Sequence, residues 1–223
     1  MRSVDVYYLP QNQRARVTEV AAGDSATKTP VTLASGVTKV RSPILKLRWK
    51  VDNSDDDEVT YALAFRPEGD TTWTEIPTGA DPLTALTFDW NTETIPDGWY
   101  RVRVHATDRR ANPAEQSLGD WLVSPPILVD NQKPQVLGVA VKFPAVAGRG
   151  ADAHSRIDEI AWQIDGGEWQ VAGPQDGLFD DKEEAFAFKL PADLRAGTHT
   201  LTVRVADEAE NIGQHSVTFR VGK

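Results

Sequence analysis

Apolar and polar residues alternate with a period of two along most of this chain. Leu45, Leu47, Trp49 and Val51 point one way while Lys46, Arg48 and Lys50 point the other, the pattern of a strand buried on one side. Val59, Tyr61, Leu63 and Phe65 repeat it, as do Leu201, Val203 and Val205, and then Val217, Phe219 and Val221. Few windows carry the 3.6-residue period of an amphipathic helix, and Pro191 to Arg195 offers one short helical turn. The pattern predicts an all-β chain.

Turn signals divide these segments. Val17 to Val20 reads as a short first strand, and residues 21–43 form a long Thr/Ser/Gly-rich connection holding a hairpin of Val31–Leu33 and Val37–Val40. Strands over 44–51 and 59–65 follow, then the turn Pro67-Glu68-Gly69-Asp70 towards Trp73. Phe88, Trp90 and Ile95 precede the turn at Pro96-Asp97-Gly98, and strands over 99–106 and 121–129 close the sheet. Beyond it, strands are expected over 136–143 and 157–164, over 169–171 after the hairpin turn Asp165-Gly166-Gly167-Glu168, over 186–190, and through the two alternating runs that end at Val205 and Val221.

The chain also repeats itself. Gly98, Val102, Val104, Asp108 and Asn112 recur as Gly197, Leu201, Val203, Asp207 and Asn211: a glycine turn, an alternating strand and a D-x-x-x-N loop. With 223 residues there is room for two sandwich domains of about 100 residues each, every one with its own core. The junction Asn131 to Val136 follows Ile127-Leu128-Val129 much as Asn12 to Val17 follows Val6 to Pro10. Residues 1–12 therefore read either as the last strand of an upstream domain plus a linker or as an ordinary N-terminal strand. The two domains are expected over 13–130 and 131–223.

A net charge of −9 argues against nucleic acid as a partner, which calls for a basic face. Zero cysteines exclude a disulfide, a thiolate nucleophile and a zinc-thiolate site. No apolar run reaches the length of a membrane span, and the first ten residues lack the apolar stretch of a signal peptide.

At this point the residues resemble tandem fibronectin type III-like and bacterial immunoglobulin-like domains of large secreted or cell-surface proteins. Trp49, Tyr61 with Phe65, and Gly98-x-Tyr100-x-Val102-x-Val104-x-Ala106 look like the type III core, with Tyr100 at the family's corner tyrosine. His199 stands at the matching place in the second copy, which leaves that corner without its hydroxyl. The stretch from IAWQIDGGEWQ to VRVADEAENIG is more similar to the bacterial immunoglobulin-like type, and the Val129-Asp130-Asn131-x-x-Pro134 junction resembles the linkers of such arrays. These are core and turn motifs; the resemblance implies fold and context and carries no catalytic residue across.

Candidate chemistry is sparse. The four histidines, His105, His154, His199 and His215, read as solvent-facing or turn residues, and no G-x-S-x-G elbow accompanies them. Carboxylate pairs are easy to find in so acidic a chain. The loop Asp52, Asn53, Asp55, Asp56, Asp57, Glu58 would bring several oxygen ligands together if it shared an end of the sandwich with Asp108 and Asn112. Asp52, Asp55, Asp57, Asp108 and Asn112 are thus calcium candidates, although a solvated acidic turn accounts for the same residues and is preferred. A second cluster, Asp176, Asp180, Asp181, Glu183 and Glu184, reads as a loop pinned to the core by Leu178 and Phe179. Among the seven tryptophans, Trp49 is core, Trp73 and Trp169 match one another at hairpin ends, and Trp99 lies out of phase with Val102 and Val104 and is expected at the surface.

The expected object is a pair of fibronectin type III-like or immunoglobulin-like β-sandwiches, a non-catalytic spacer or interaction module from a larger bacterial extracytoplasmic protein, extracellular or periplasmic and monomeric. Its partners would be other domains of that protein and a protein or polysaccharide. A carbohydrate-binding accessory module and an enzyme with an unrecognised acidic site are the alternatives.

Overall fold

A computed structural model describes residues 16–24, 31–32, 38–39, 43–53 and 56–222. In chain order the strands are β1 (Arg16–Asp24), β2 (Val31–Thr32), β3 (Thr38–Lys39), β4 (Ile44–Asp52), β5 (Thr60–Pro67), β6 (Thr74–Ile76), β7 (Thr87–Asn91), β8 (Gly98–Thr107), β9 (Gly119–Val123) and β10 (Ile127–Val129). They continue with β11 (Gln135–Lys142), β12 (Ala145–Ala151), β13 (Ile157–Ile164), β14 (Gln170–Ala172), β15 (Glu183–Lys189), β16 (Gly197–Asp207) and β17 (Ile212–Val221). Among the described residues there is no helix, and the Pro191 to Arg195 segment is a turn. The strands group into two compact units; the β2/β3 hairpin and Asp130 onward fall in the second. The expected strand before residue 13 lies outside the described residues.

The first unit faces a three-stranded sheet, β1-β4-β7, with a second sheet in the order β10-β8-β5-β6 in which β9 also pairs with β8. All pairings are antiparallel. Leu47 and Trp49 of β4, Tyr61 and Leu63 of β5, and Tyr100, Val102, Val104 and Ala106 of β8 are buried between the sheets, as the alternation predicts. Trp49 meets Tyr61 edge-on at 5.3 Å between ring centres. The expected single strand over 121–129 is two, because Pro125 and Pro126 have no N–H for the ladder. Ser124 bridges the gap: its hydroxyl accepts from Val102 N at 3.0 Å and donates to Pro125 O at 2.7 Å.

The second unit repeats the plan with sheets β11-β12-β15 and β14-β13-β16-β17. Its core holds Val146, Ile157, Ile160, Trp162, Phe186, Leu201, Val203 and Val205, and Trp162 stacks on Phe188 with centres 4.9 Å apart. Strand β12 was not expected, since the sequence AVAGRGA has little strand propensity. Its glycines exist for space: a Cβ on Gly148 would meet the Phe186 ring at 2.6 Å, and one on Gly150 would meet Val205 at 2.9 Å. A further correction concerns the acidic loop after β14. Leu178 is 65% exposed and pins nothing, whereas Phe179 packs against the core. Glu184 does the tethering, accepting from the backbone N–H groups of Asp180 at 3.0 Å and Asp181 at 2.9 Å.

Candidate functional site

The calcium candidates of the first unit separate into two local arrangements. Asp52 is exposed, Asp57 is half-buried, and Asp55 lies outside the described residues. Asp57 accepts from Asn112 Nδ2 at 2.9 Å through its carboxylate and from Asn53 Nδ2 at 2.8 Å through its main-chain oxygen. Asn112 thus meets Asp57 with an N–H, so the two loops share an end of the sandwich. Asp108 is buried and turns its Oδ1 to Leu118 N at 2.6 Å.

Among the described residues, carboxylates gather in the second unit, where one oxygen each from Asp130, Asp152 and Asp207 lie within 4.8 Å of one another. Asp207 is fully buried at the end of β16. Its two oxygens accept from the backbone N–H of Asn211 at 2.8 Å and the side-chain amide at 3.0 Å. The same amide nitrogen reaches Asp130 O at 3.2 Å, and Ser155 donates its hydroxyl to Asp130 Oδ2 at 2.6 Å. Asp152 accepts from the N–H groups of His154 and Ser155. Burial pushes the Asp207 carboxyl up to about 7, the charges of Asp130 and Asp152 push the same way, and the two Asn211 hydrogen bonds oppose them. Among the described residues, these three carboxylates form the group that could hold a hard divalent cation through oxygen. The repeat pointed to Asp207 and Asn211; Asp130 and Asp152 come from a junction and a loop whose convergence no spacing reveals.

The missing corner tyrosine of the second unit has a replacement. Tyr100 donates its hydroxyl to Pro96 O at 2.7 Å, the corner bond the resemblance implied. His199 makes the same reach, from Nε2 to Arg195 O at 2.8 Å, while its Nδ1 lies 2.7 Å from Asp165 Oδ2. Neither ring nitrogen is left free to act as a base.

The outward face of the first unit's larger sheet is chemically distinct. Along β8 it presents Trp99, Arg101, Arg103 and His105, and β9 sets Trp121 opposite His105. Trp121 is 57% exposed and Trp99 43% exposed; the expected exposure of Trp99 is found. Trp73 carries two guanidinium groups, Arg66 at 5.0 Å and Arg103 at 4.7 Å from its ring centre, and Arg103 lies 5.9 Å from the ring of Trp121. Arg101 is paired in a fork with Glu68 at 2.7 and 2.9 Å. The matching Trp169 of the second unit covers Arg204 at 4.2 Å, but there the arginine is buried and faces Glu159 at 3.6 Å.

No protein-family model and no curated protein matches the chain. Among solved structures it is similar to the chicken interferon gamma receptor alpha chain, at 10% sequence identity over 81% of this chain and 93% of that one, with a TM-score of 0.34.

Proposed function

We propose that this chain is a non-catalytic interaction module, a pair of sandwich domains belonging to a larger bacterial extracytoplasmic protein, and that it makes contact through the outward face of the β10-β8-β5-β6 sheet. One observation carries the reading: two large aromatic rings, Trp99 and Trp121, stand exposed beside cations on a sheet whose other face already holds a complete core. A surface tryptophan is apolar area left in water, and such rings are enriched where a partner covers them. The rival reading of an acidic catalytic site would centre on Asp130, Asp152 and Asp207, but full burial of Asp207 keeps its carboxylate from a substrate. His199, held at both nitrogens, likewise favours a structural role.

The test presents the whole chain to purified envelope polysaccharides and secreted proteins in an interferometric binding assay, with the bound material recovered and analysed by mass spectrometry. Reversible retention of an unchanged ligand, weakened by Trp121→Ala, is expected. A ligand recovered as cleaved product, or retention indifferent to Trp121 and Arg103, overturns the proposal.

A further inference from the structure

The two copies treat the outermost strand of the larger sheet differently. In the first unit the place beside β8 is broken at Pro125 and Pro126 into β9 and β10, and proline is one of the devices that blunt a sheet edge. In the second unit β17 holds the same place beside β16, with ten residues paired in unbroken register and neither proline nor bulge. Among the described residues no strand pairs with its other side. Such an edge has ladder donors and acceptors ready for one more strand.

What lies along that edge narrows the occupant. The outer strand of the facing sheet, β11, closes on β17 at its start, where a Cβ on Gly213 would overlap Pro134 O. Further along, the two strands share no ladder bond and border a cleft of about 280 Å³, lined on one side by Val141 and Phe143 and on the other by Val217, Thr218, Phe219 and Arg220. Successive residues of a strand point to opposite faces, so a cleft lined by four in a row runs along the strand's edge, past its free N–H and C=O groups. Its inner wall is apolar, with Phe143 stacked on Phe219 at 6.4 Å between ring centres. The cleft is smaller than the ~300 Å³ at which pockets for whole ligands begin, so it admits the side chains of a strand and not a folded body. Charge gives the sign. Residues 133–151 and 211–223 contain no Asp or Glu in a chain that has 33, while Lys142 and Arg220 stand exposed at this end. Asp165, the carboxylate that reaches β16 from the neighbouring hairpin, is engaged by His199 and Thr200 N.

We infer that this edge is a second interaction surface, one that takes an extended acidic segment of another polypeptide. The segment adds to β17 as a further strand, with apolar side chains in the cleft and carboxylates toward Lys142 and Arg220. In this mode the main chain supplies affinity and alternate side chains supply selection. A second copy offers β17 itself, which has no carboxylate to give. The site shares no residue with the outward face of the first unit's larger sheet, so either surface can fail without the other.

The experiment is fluorescence anisotropy of a labelled peptide alternating valine and glutamate, matched to β17 in length and titrated with the full chain at low ionic strength. One comparison peptide replaces glutamate by lysine and another is methylated at every peptide nitrogen; circular dichroism confirms that each protein variant is folded. Binding of the valine-glutamate peptide is expected, weakened about tenfold by Arg220→Glu, reduced by added salt and unchanged in Arg156→Ala. Hydrogen exchange at the β17 amides should slow in the complex. Equal binding of the lysine peptide overturns the acidic occupant, and equal binding of the methylated peptide overturns strand addition. No binding of any peptide overturns the inference outright. Self-association of the chain in sedimentation velocity, abolished by Arg220→Glu, overturns it in favour of a second copy.

Discussion

His199 and Arg195 are joined by a hydrogen bond of 2.8 Å that reaches back four residues, the same reach by which Tyr100 meets Pro96. The carbonyl of Arg195 can only accept, so Nε2 carries a proton. The Asp165 carboxylate on Nδ1 also accepts, so both partners are satisfied together when the ring is an imidazolium. The hydrogen bond to Arg195 O and then that to Asp165 raise the His199 pKa above its ordinary 6.5. A raised pKa means stability that is fully present below about pH 6.5 and lost as pH rises through the folded value. An NMR titration should give a His199 midpoint above 6.5 that falls in Asp165→Asn; a midpoint at or below 6.5 would show that the ring is neutral in the corner.

The corner in the first unit can be weighed against the core beneath it. Tyr100→Phe removes one hydrogen bond and should cost about 1–2 kcal/mol. Trp49→Ala empties a buried site beside Tyr61 and should cost about 3–5 kcal/mol. Trp49 Nε1 is buried without a partner, so Trp49→Phe discards an unsatisfied donor along with some volume and should cost much less than Trp49→Ala. Urea denaturation of the three variants orders them, and an equal loss for Trp49→Phe and Trp49→Ala would assign the indole N–H a hidden partner.

Period-two alternation made the sheets readable because one face of nearly every strand is buried, which fixes apolar positions such as Leu47, Val104 and Val203 in sequence. It failed at β12, where Gly148 and Gly150 are chosen for the space that Phe186 of the neighbouring strand and Val205 of the facing sheet occupy, constraints that arise only in the folded sheets. It also failed at Leu178, whose apolar character gives no sign of whether a loop turns it inward. The sites behave alike. Trp99 could be placed by its phase along β8, whereas the stacking of Arg66 and Arg103 on Trp73 depends on side chains from two strands and a loop, and the meeting of Asp130, Asp152 and Asp207 depends on the closed fold.

Gly148→Ala tests the close approach in β12. The added methyl would overlap the Phe186 ring, which is fully buried and packed against Phe188, so the ring has little room to move. The variant should lose about 1–3 kcal/mol, while Gly173→Ala, at a position with open space around it, should lose little. Thermal unfolding of both variants checks the contrast. Equal stability would mean that the Phe186 ring, on the neighbouring strand β15, can shift away from position 148 without penalty.

Calcium should not act through the first unit. Asn112 offers Asp57 an N–H, and Asp108 Oδ1 accepts from Leu118 N, so these two carboxylates already have protein donors where a cation would sit. Millimolar calcium chloride should shift the melting of this unit no further than sodium chloride of equal ionic strength, which only screens exposed carboxylates. A calcium-specific rise abolished by Asp108→Ala would restore the site, since a ligand bound to the folded state alone raises its stability.

Asp207 gives the second unit a pH dependence of its own. Its carboxyl titrates at about 7 when folded against an ordinary 3.8, chiefly through burial and then through Asp130 and Asp152. A carboxyl raised in the folded state favours folding while it is protonated. Its contribution is fully present below about pH 3.8 and is lost as pH rises through about 7. Two other groups fall outside the middle of that window: His199 stays charged until pH passes about 6.5, and Asp165, held low by the N–H of Thr200 and then by His199, acts below its ordinary 3.8. The melting temperature of the second unit should therefore decline between about pH 5 and 6.5, measured with a chelator because a divalent cation would take the proton's place. Asp152→Asn removes a charge that holds the Asp207 pKa up and should move the decline to lower pH. A flat profile in the parent chain would mean that the Asn211 hydrogen bonds outweigh burial and that Asp207 is ionised throughout; a decline that Asp152→Asn leaves in place would assign it to another group.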